Sequence, residues 1–283
     1  MRIIKRNEEV RHLLRLTPDA MLRRAKGRLV ICRDNDELHL RFAQEIAAEI
    51  RMRQARQEPV RMILPVGPTG QYPLLADIIN REKMDLANCW FFFMDEYCDE
   101  NGQALLPEHP LSFRGIMARL FFSRLDPGCG LVPSRVVFPA HTNIRRLGRM
   151  IAAEGGIDTC YAGVGIHGHL AFNEPASKVK KTNPRRVALN DFTVTLNAIR
   201  AGVGGDLENF PRQAFTLGLK QILSARRMGL FCRNDIPGIQ WANTVLRLAL
   251  FGKAGDDYPV THIRGMDYRV FTTVDTAQRP ATA

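Results

Sequence analysis

The chain has 283 residues, of which 45% are hydrophobic and 24% charged, as in an ordinary globular protein with one large core. No apolar run reaches the roughly 18 residues of a membrane helix, and the Arg- and Glu-rich start lacks the apolar segment of a signal peptide. The net charge of +11 predicts an anionic partner, either nucleic acid or a small anion such as a sugar phosphate. The basic residues come without a recognition helix or an aromatic platform, so the small anion is favoured, although solubility alone explains much of the surplus.

Six cysteines are scattered along the chain, and no two of them form a Cys-x-x-Cys pair. This spacing is not typical of a disulfide framework or a zinc cluster, and it favours reduced thiols. We therefore expect a cytoplasmic protein without a membrane partner.

Residues 1–28 predict a helical extension in front of the main domain. Apolar positions recur among many arginines, Pro18 interrupts the pattern, and Thr17 is a suitable cap for a second short helix. The two amphipathic helices can pack on the core or on a partner subunit. A helix lying on a membrane surface is the weaker alternative.

Between residues 29 and 275, short apolar strands alternate with helices, which predicts right-handed βαβ units and a mostly parallel sheet. Strands are predicted at 29–32, 60–66, 90–94, 136–138, 159–164, 187–190, 210–218, 228–233 and 270–274. Helices are predicted at about 35–56, 74–81, 112–125, 144–154, 195–201, 220–223 and 240–252, and Asp34 or Asn35 is expected to cap the first of them. The fold class is therefore α/β, with one domain over 29–275 and a flexible tail over 276–283.

The second predicted strand runs into Gly67-Pro68-Thr69-Gly70. Backbone N–H groups and a helix N-terminus in such a turn can hold a phosphate. The stretch is not a P-loop, because no lysine follows, and Pro68 removes one donor. A phosphate cradle and a plain strand–helix turn are equally compatible with this segment.

The strand 90–94 has no polar residue and is followed by Asp95 and Glu96. A carboxylate at the end of so apolar a strand can be partly desolvated, with the raised pKa that a general base requires near neutral pH. The simpler alternative is that these acids cap the next helix.

The segment 161–175 runs from a strand into two glycines and then displays His167, His169 and Glu174. Titratable groups at a strand end are how open α/β sheets build sites, whereas the simpler alternative is a glycine-rich turn with solvated histidines. Two imidazoles near a carboxylate also allow a zinc or iron site, but no further ligand cluster is evident. The basic segment 177–186 is either a solvated loop or a mobile lid over an anionic ligand.

Three stretches together resemble the glucosamine-6-phosphate deaminase (isomerase) family, related to the 6-phosphogluconolactonases, over about residues 28–275. They are Leu64-Pro65-Val66-Gly67-Pro68-Thr69, then Met94-Asp95-Glu96-Tyr97 with Glu108-His109-Pro110, and Gly163-Val164-Gly165-x-x-Gly168-His169-x-Ala171-Phe172-Asn173-Glu174-Pro175-Ala176. The resemblance implies a Rossmann-like three-layer fold with helices on both faces of the sheet. It implies conversion of glucosamine 6-phosphate and water to fructose 6-phosphate and ammonia, without a metal or another cofactor. We expect a small amino-sugar phosphate as partner, no nucleic acid, and a homo-oligomer.

By this resemblance Asp95 is the general base that moves a proton between C2 and C1 of the open-chain sugar. His169 helps to open the pyranose ring, and Glu174 orients and tunes that histidine. A carboxylate with a raised pKa suits a proton shuttle between adjacent carbons, and histidine exchanges protons near pH 7.

The resemblance also implies a phosphate site, made by Gly67, Pro68 and Thr69 together with Arg200 and Arg212. A guanidinium can hold a phosphate with two parallel hydrogen bonds. Arg212 is expected here because it follows Pro211, where the family has a phosphate-binding lysine.

The chain departs from the family pattern at several positions. Ile166-His167 replaces Asn-Asp before the Gly-His pair, so His167 enters the catalytic group and should lower the pKa of His169. Gly67-Pro68-Thr69 replaces Gly-Gly-Thr, the loop 98–107 is longer, and the N-terminal helices are additional. The segment 177–186 matches the family's allosteric phosphate site only in part.

These departures leave other functions open, including a different amino-sugar phosphate or slow turnover. A 6-phosphogluconolactonase-like hydrolase would share the fold and the Gly-x-Gly-x-x-Gly-His loop, but residues 171–175 match the deaminases. A catalytically impaired sugar-phosphate sensor is the third hypothesis, and Ile166-His167 is the sequence feature that favours it.

Overall fold

A computed structural model describes residues 6–236 and 238–280 of the chain. Its central sheet has seven strands in the order β1-β10-β9-β6-β2-β3-β5, and every neighbouring pair is parallel. The strands of the structure are β1 Leu29–Cys32, β2 Val60–Leu64, β3 Cys89–Phe93, β4 Asp95–Cys98, β5 Val136–Val137, β6 Thr159–Gly163, β7 Arg185–Ala188, β8 Gln213–Thr216, β9 Arg227–Phe231 and β10 Asp267–Thr273. The predicted α/β class with a mostly parallel sheet is confirmed.

Helices cover both faces of this sheet, as predicted. They are α1 Arg6–Leu14, α2 Pro18–Ala25, α3 Asn35–Ala55, α4 Gln71–Arg81, α5 Phe113–Leu120, α6 Ile144–Ala153, α7 Asp191–Arg200, α8 Leu219–Ile222, α9 Ala242–Phe251 and α10 Val274–Ala277. Neighbouring residues of one strand enter different cores: Met62 packs with α3, α4 and α5, and Ile63 with α6 and α9. Burial on both faces explains why the parallel strands are almost entirely apolar.

Two predicted helix starts are confirmed in atomic detail. The Thr17 hydroxyl accepts a hydrogen bond from Ala20 N at 3.2 Å, and the Asp34 carboxylate accepts one from Glu37 N at 2.9 Å. These side chains satisfy N–H groups that lack a partner in the first helical turn.

A second, antiparallel sheet of three strands, β4-β8-β7, was not predicted. The chain leaves β3 at Phe93 and enters β4 at Asp95, so one nearly continuous extended segment belongs to both sheets. Asp95 pairs with Thr216 in β8. The polar sequence of β4 does not have the apolar pattern of a core strand, which is why it reads as a loop.

The N-terminal helices pack on the core, which is the first of the two predicted alternatives, while residues 1–5 lie outside the described residues. The Arg6 guanidinium donates to both carboxylate oxygens of Asp257, each at 2.7 Å. The buried Arg247 of α9 donates to Leu16 O at 2.9 Å and to Ala277 O at 3.0 Å. The N-terminal helices and α10 are therefore both attached to α9 and the segment after it.

The predicted flexible tail over 276–283 is corrected in its first residues. Thr276 and Ala277 are fully buried within α10, because Arg247 holds the last carbonyl groups of this helix. Residues 281–283 lie outside the described residues. Among the described helices, none combines the length and the apolar character that crossing a membrane requires.

Asp158 gives a test of the electrostatics in this core. Its side chain is 1% exposed and accepts from Arg61 Nε at 2.9 Å and lies 3.1 Å from Arg53 Nη2. Removing one partner of a buried ion pair strands the other charge, so Asp158→Ala should lower the free energy of unfolding by about 3–5 kcal/mol. Urea denaturation measures this loss.

The matched control for this experiment is Asp191→Ala. Asp191 also pairs with an arginine, Arg212, at 2.9 Å, but its side chain is 90% exposed. An exposed pair contributes about 0–1 kcal/mol, so the control should be nearly neutral. Equal losses in the two variants would contradict the buried network.

Candidate active site

A cavity of about 280 Å³ lies where the parallel strands end. Segments that follow β2, β3, β6 and β9 contribute its walls, because the carboxyl ends of parallel strands meet at one edge of the sheet. The predicted residues that line this cavity are Gly67, Pro68, Thr69, Asp95, His169 and Arg200. His167, Glu174 and Arg212 are outside this lining.

Asp95 lies at the junction of the two sheets and is 7% exposed. Within the described chain, its carboxylate receives no hydrogen bond. Burial raises the pKa of Asp95 to about 8, and the negative charge of Glu96 adds to this rise. A carboxylate with this pKa can accept and return a proton near neutral pH, as a general base must.

Glu96 has the other role that the sequence left open for these acids. Its carboxylate accepts hydrogen bonds from Phe113 N and Arg114 N, both at 2.8 Å, and from the Ser112 hydroxyl at 3.2 Å. Burial raises the pKa of Glu96 to about 7, and these donors oppose the rise. Glu96 therefore anchors the start of α5, while Asp95 faces the cavity.

His169 is 9% exposed and is held in a tight loop. Gly165 N donates to His169 O at 3.0 Å, and a Cβ atom on Gly165 would collide with the imidazole. Burial, with smaller contributions from His167 and Arg200, lowers the pKa of His169 to about 3. The direction of the His167 contribution is the one that the sequence predicts, and the lowered pKa favours a neutral imidazole at pH 7.

The loop that carries His169 is supported from outside the cavity. Gly168 has a φ of +65°, a conformation that side-chain-bearing residues rarely adopt, and its carbonyl accepts from Val260 N at 2.7 Å. A Cβ at this position would lie 3.2 Å from the Tyr258 ring. The segment after α9 therefore fixes the backbone of the histidine loop.

Glu174 and His167 lie beside α7 rather than in the cavity wall. The Glu174 carboxylate accepts from Asn190 N at 3.1 and 3.3 Å, next to the start of α7. The His167 ring lies 6.2 Å from that of His169 and packs edge-on against Phe192 at 5.4 Å. Glu174 makes no hydrogen bond to His169 within residues 6–236 and 238–280, so any influence on that imidazole passes through His167 or α7.

The alternative of a metal pair at His167 and His169 gains no geometric support. In the part of the chain that the structure describes, no three His, Cys, Asp or Glu side chains are grouped as ligands. Segment 177–186 contributes no residue to the lining of the cavity, so the lid alternative gains no support. Helix α7 borders the cavity instead, through Asn197 and Arg200. The basic segment forms a short turn at Val179–Lys181 and then β7.

The loop from Gly67 to Thr69 joins β2 to the N-terminus of α4 and is fixed from below. The fully buried Gln71 donates from Nε2 to Pro68 O at 2.8 Å, and the Tyr72 hydroxyl donates to Pro65 O. A helix N-terminus with free N–H groups favours an anion, so this wall suits a phosphate.

Arg212 was wrongly predicted to line the site. It precedes β8 at the edge of the small sheet, where its side chain is 49% exposed and pairs with Asp191 at 2.9 Å. The prediction rested on the position of Arg212 directly after a proline. That position does not determine toward which side of the sheet the side chain points.

Arg233 is the cation that sequence reasoning missed. It follows β9, lines the cavity, and lies over the Phe231 ring at 5.2 Å. Its Nε is buried without a hydrogen-bond partner in the described chain, and burial lowers its pKa. A basic residue two positions beyond an apolar parallel strand, at the same edge as Asp95, was the available signal.

A comparison with models of known protein families finds no match. Among curated proteins, the glucosamine-6-phosphate deaminase of Thermoanaerobacter sp. (strain X514) is 31% identical over 189 residues, which are 65% of this chain and 71% of that relative. The chain belongs to the glucosamine-6-phosphate deaminase family. The family resemblance predicted from the motifs is thereby confirmed.

Solved structures agree with membership of the deaminase family. A monomeric glucosamine-6-phosphate deaminase of the NagB superfamily has a TM-score of 0.75 at 25% identity, covering 88% of this chain and 98% of that one. The 6-phosphogluconolactonase of Thermotoga maritima has a TM-score of 0.61 at 16% identity, covering 87% and 98%. The lactonase likeness concerns the fold alone.

The charge state of His169 can be tested directly by NMR. Because burial and neighbouring cations lower its pKa to about 3, its imidazole signals should not titrate between pH 7 and about pH 4. The urea-unfolded chain is the control, since its histidines should titrate near 6.5. A midpoint near 6.5 for His169 in the folded protein would contradict this environment.

Proposed function

We propose that this chain converts glucosamine 6-phosphate and water to fructose 6-phosphate and ammonia. The observation that carries the proposal is that a carboxylate with a raised pKa and a buried imidazole with a lowered pKa face one cavity, beside the turn from Gly67 to Thr69 at the start of α4. The family of the chain supports the same reaction. The cavity, about 280 Å³, has the size of a small phosphorylated sugar.

The phosphate end of the proposed substrate site is the turn from Gly67 to Thr69. Backbone N–H groups at the start of α4 would donate to the phosphate oxygens. Arg233 and Arg200 line the same cavity and would supply positive charge. Arg233 takes the place that the resemblance had given to Arg212.

His169 would act on the cyclic sugar. Ring opening moves a proton from the O1 hydroxyl and places one on the ring oxygen O5, and a neutral imidazole can accept with one nitrogen and donate with the other. An imidazolium has no free acceptor nitrogen. The lowered pKa of His169 therefore keeps the form that this step requires.

Asp95 would act on the open-chain sugar. Its carboxylate removes the proton from C2 while the carbonyl oxygen O1 takes a proton from solvent, which gives an enolamine with a hydroxyl on C1. The carboxylate then returns its proton to C1, and the nitrogen at C2 loses one proton to solvent and becomes an imine. Water adds to this imine, and ammonia leaves as the C2 carbonyl of the ketose forms. The pKa of Asp95 is raised and the pKa of His169 is lowered. These opposite shifts assign the role of base to the carboxylate and the role of ring opening to the neutral imidazole.

The finer predictions on assembly and location stay predictions. Each of the six cysteines is a free thiol, which is compatible with a reducing cytoplasm. The homo-oligomer has no direct support, and the structural neighbour described above is a monomeric enzyme.

The activity itself is tested by following ammonia and ketose formation from glucosamine 6-phosphate. Asp95→Asn keeps the shape and removes the base, so kcat should fall by about 10²–10⁴ while KM changes little. Asp191→Asn, outside the cavity, is the control and should retain wild-type turnover. Full activity in Asp95→Asn would remove Asp95 from its role.

The same assay separates the other hypotheses. Turnover of galactosamine 6-phosphate alone would assign a different amino sugar. Hydrolysis of 6-phosphogluconolactone without ammonia release would favour the lactonase, and binding of glucosamine 6-phosphate without turnover would favour a sensor.

The pH dependence of kcat/KM gives a further prediction. A base works only when ionised, and the pKa of Asp95 is raised to about 8, so kcat/KM should fall about tenfold per unit as pH decreases below 8. Because the charge of Glu96 contributes to this pKa, Glu96→Gln should move the limb to lower pH. A limb near pH 4 in the wild type would contradict the desolvated carboxylate.

A further inference from the structure

We infer that Asp235 competes with the phosphate of the substrate for Arg200, and thereby weakens the binding of phosphorylated ligands. Asp235 lines the cavity together with both arginines of the phosphate end. The inference rests on the proposed phosphate site, but it is not part of the proposed reaction.

The contact that supports this inference is an ion pair inside the cavity wall. Arg200 Nε lies 2.5 Å from Asp235 Oδ2, and the two side chains are 30% and 16% exposed. The other oxygen, Oδ1, accepts from Trp241 Nε1 at 3.2 Å. The Arg200 guanidinium also lies over the Trp241 ring, 5.2 Å from its centre. Three side chains from α7 and the segment after β9 thus form one cluster.

This cluster lies along the guanidinium edge that a phosphate would use. A guanidinium holds a phosphate through two parallel N–H groups, and Asp235 forms an ion pair against the edge that includes Nε. Arg200 Nη1 donates to Asn197 Oδ1 at 3.1 Å. A bidentate phosphate contact through the Nε edge therefore requires Asp235 to move or to share Arg200.

Arg233 provides the contrast within the same cavity. Its guanidinium makes no ion pair within residues 6–236 and 238–280, and its Nε is buried without a partner. A phosphate can bind Arg233 without displacing a paired carboxylate, although the charge of Asp235 also acts on Arg233 at longer range. At Arg200 the phosphate meets Asp235 in direct contact with the guanidinium. Like charges at short range in a partly buried site repel strongly.

The variant Asp235→Asn tests this inference. The amide has the shape of the carboxylate and can still accept from Trp241 Nε1, but it no longer neutralises Arg200. Titration calorimetry with inorganic phosphate should show about tenfold tighter binding than in the wild type. Asp191→Asn is the matched control, because it removes an aspartate that pairs with the exposed Arg212, and it should leave the phosphate affinity unchanged.

A double variant tests whether the effect passes through Arg200. In an Arg200→Met background, Asp235→Asn should increase the phosphate affinity much less, because only the longer-range effect of this charge on Arg233 and on the phosphate is removed. Persistence of the full gain would overturn the competition for Arg200. Unchanged or weaker phosphate binding in the single variant, with an unchanged melting temperature, would also overturn it and give Asp235 a supporting role.

The titration needs no turnover, so the two proposals can fail separately. Tighter phosphate binding in Asp235→Asn, in a protein that releases no ammonia from glucosamine 6-phosphate, would refute the proposed reaction and support the competition. Ammonia release from glucosamine 6-phosphate, together with an unchanged phosphate affinity in Asp235→Asn, would support the proposed reaction and refute the competition.

Discussion

The burial of one carboxylate, Asp95, is the constraint on which the rest of the site depends. An apolar strand covered on both faces carries the chain to the edge of the sheet, and β4 pairs with β8 immediately beyond it. Successive side chains of an extended segment point in opposite directions. Asp95 therefore enters the cavity, and Glu96 turns to the start of α5. The same backbone geometry desolvates one acid and satisfies the other.

The electrostatic balance of the cavity follows from this placement. Burial, together with the nearby His167 and Arg200, favours a neutral imidazole at His169 beside a carboxylate that is easily protonated. The surplus positive charge of the chain has only a small part in this arrangement. Most of the arginines that form ion pairs do so away from the cavity, as in the network around Asp158.

Much of the fold was predictable because it depends on simple patterns. Apolar strands alternating with helices gave the parallel sheet, and the caps at Thr17 and Asp34 gave two helix starts. The small antiparallel sheet was not predictable, because β4 is polar and its partners are distant in sequence. The last helix was missed because its stability comes from a tertiary contact with Arg247.

Most of the predicted residues that line the cavity follow a recognisable strand, whereas Arg200, on α7, came from the family resemblance. Asp95 and His169 satisfy that condition, and the structure brings them to one cavity. Arg212 was predicted because it follows Pro211 in the sequence. Arg233, which was not predicted, lies at the same edge of the sheet as Asp95 and lines the cavity. Asp235 could not be predicted, because its pairing with Arg200 joins elements that only the folded chain brings together.

The position of β1 has a consequence for synthesis of the protein on the ribosome. Leu29 pairs with Val270, and β10 is the only neighbour of β1 in the central sheet of the described chain. During translation, β1 therefore has no partner in this sheet until the residues of β10 have been synthesised. Contacts so far apart in sequence make folding slow and leave an apolar segment open to aggregation in the nascent chain. The order of the strands in the sheet, more than the stability of any one of them, therefore sets how long this segment stays exposed.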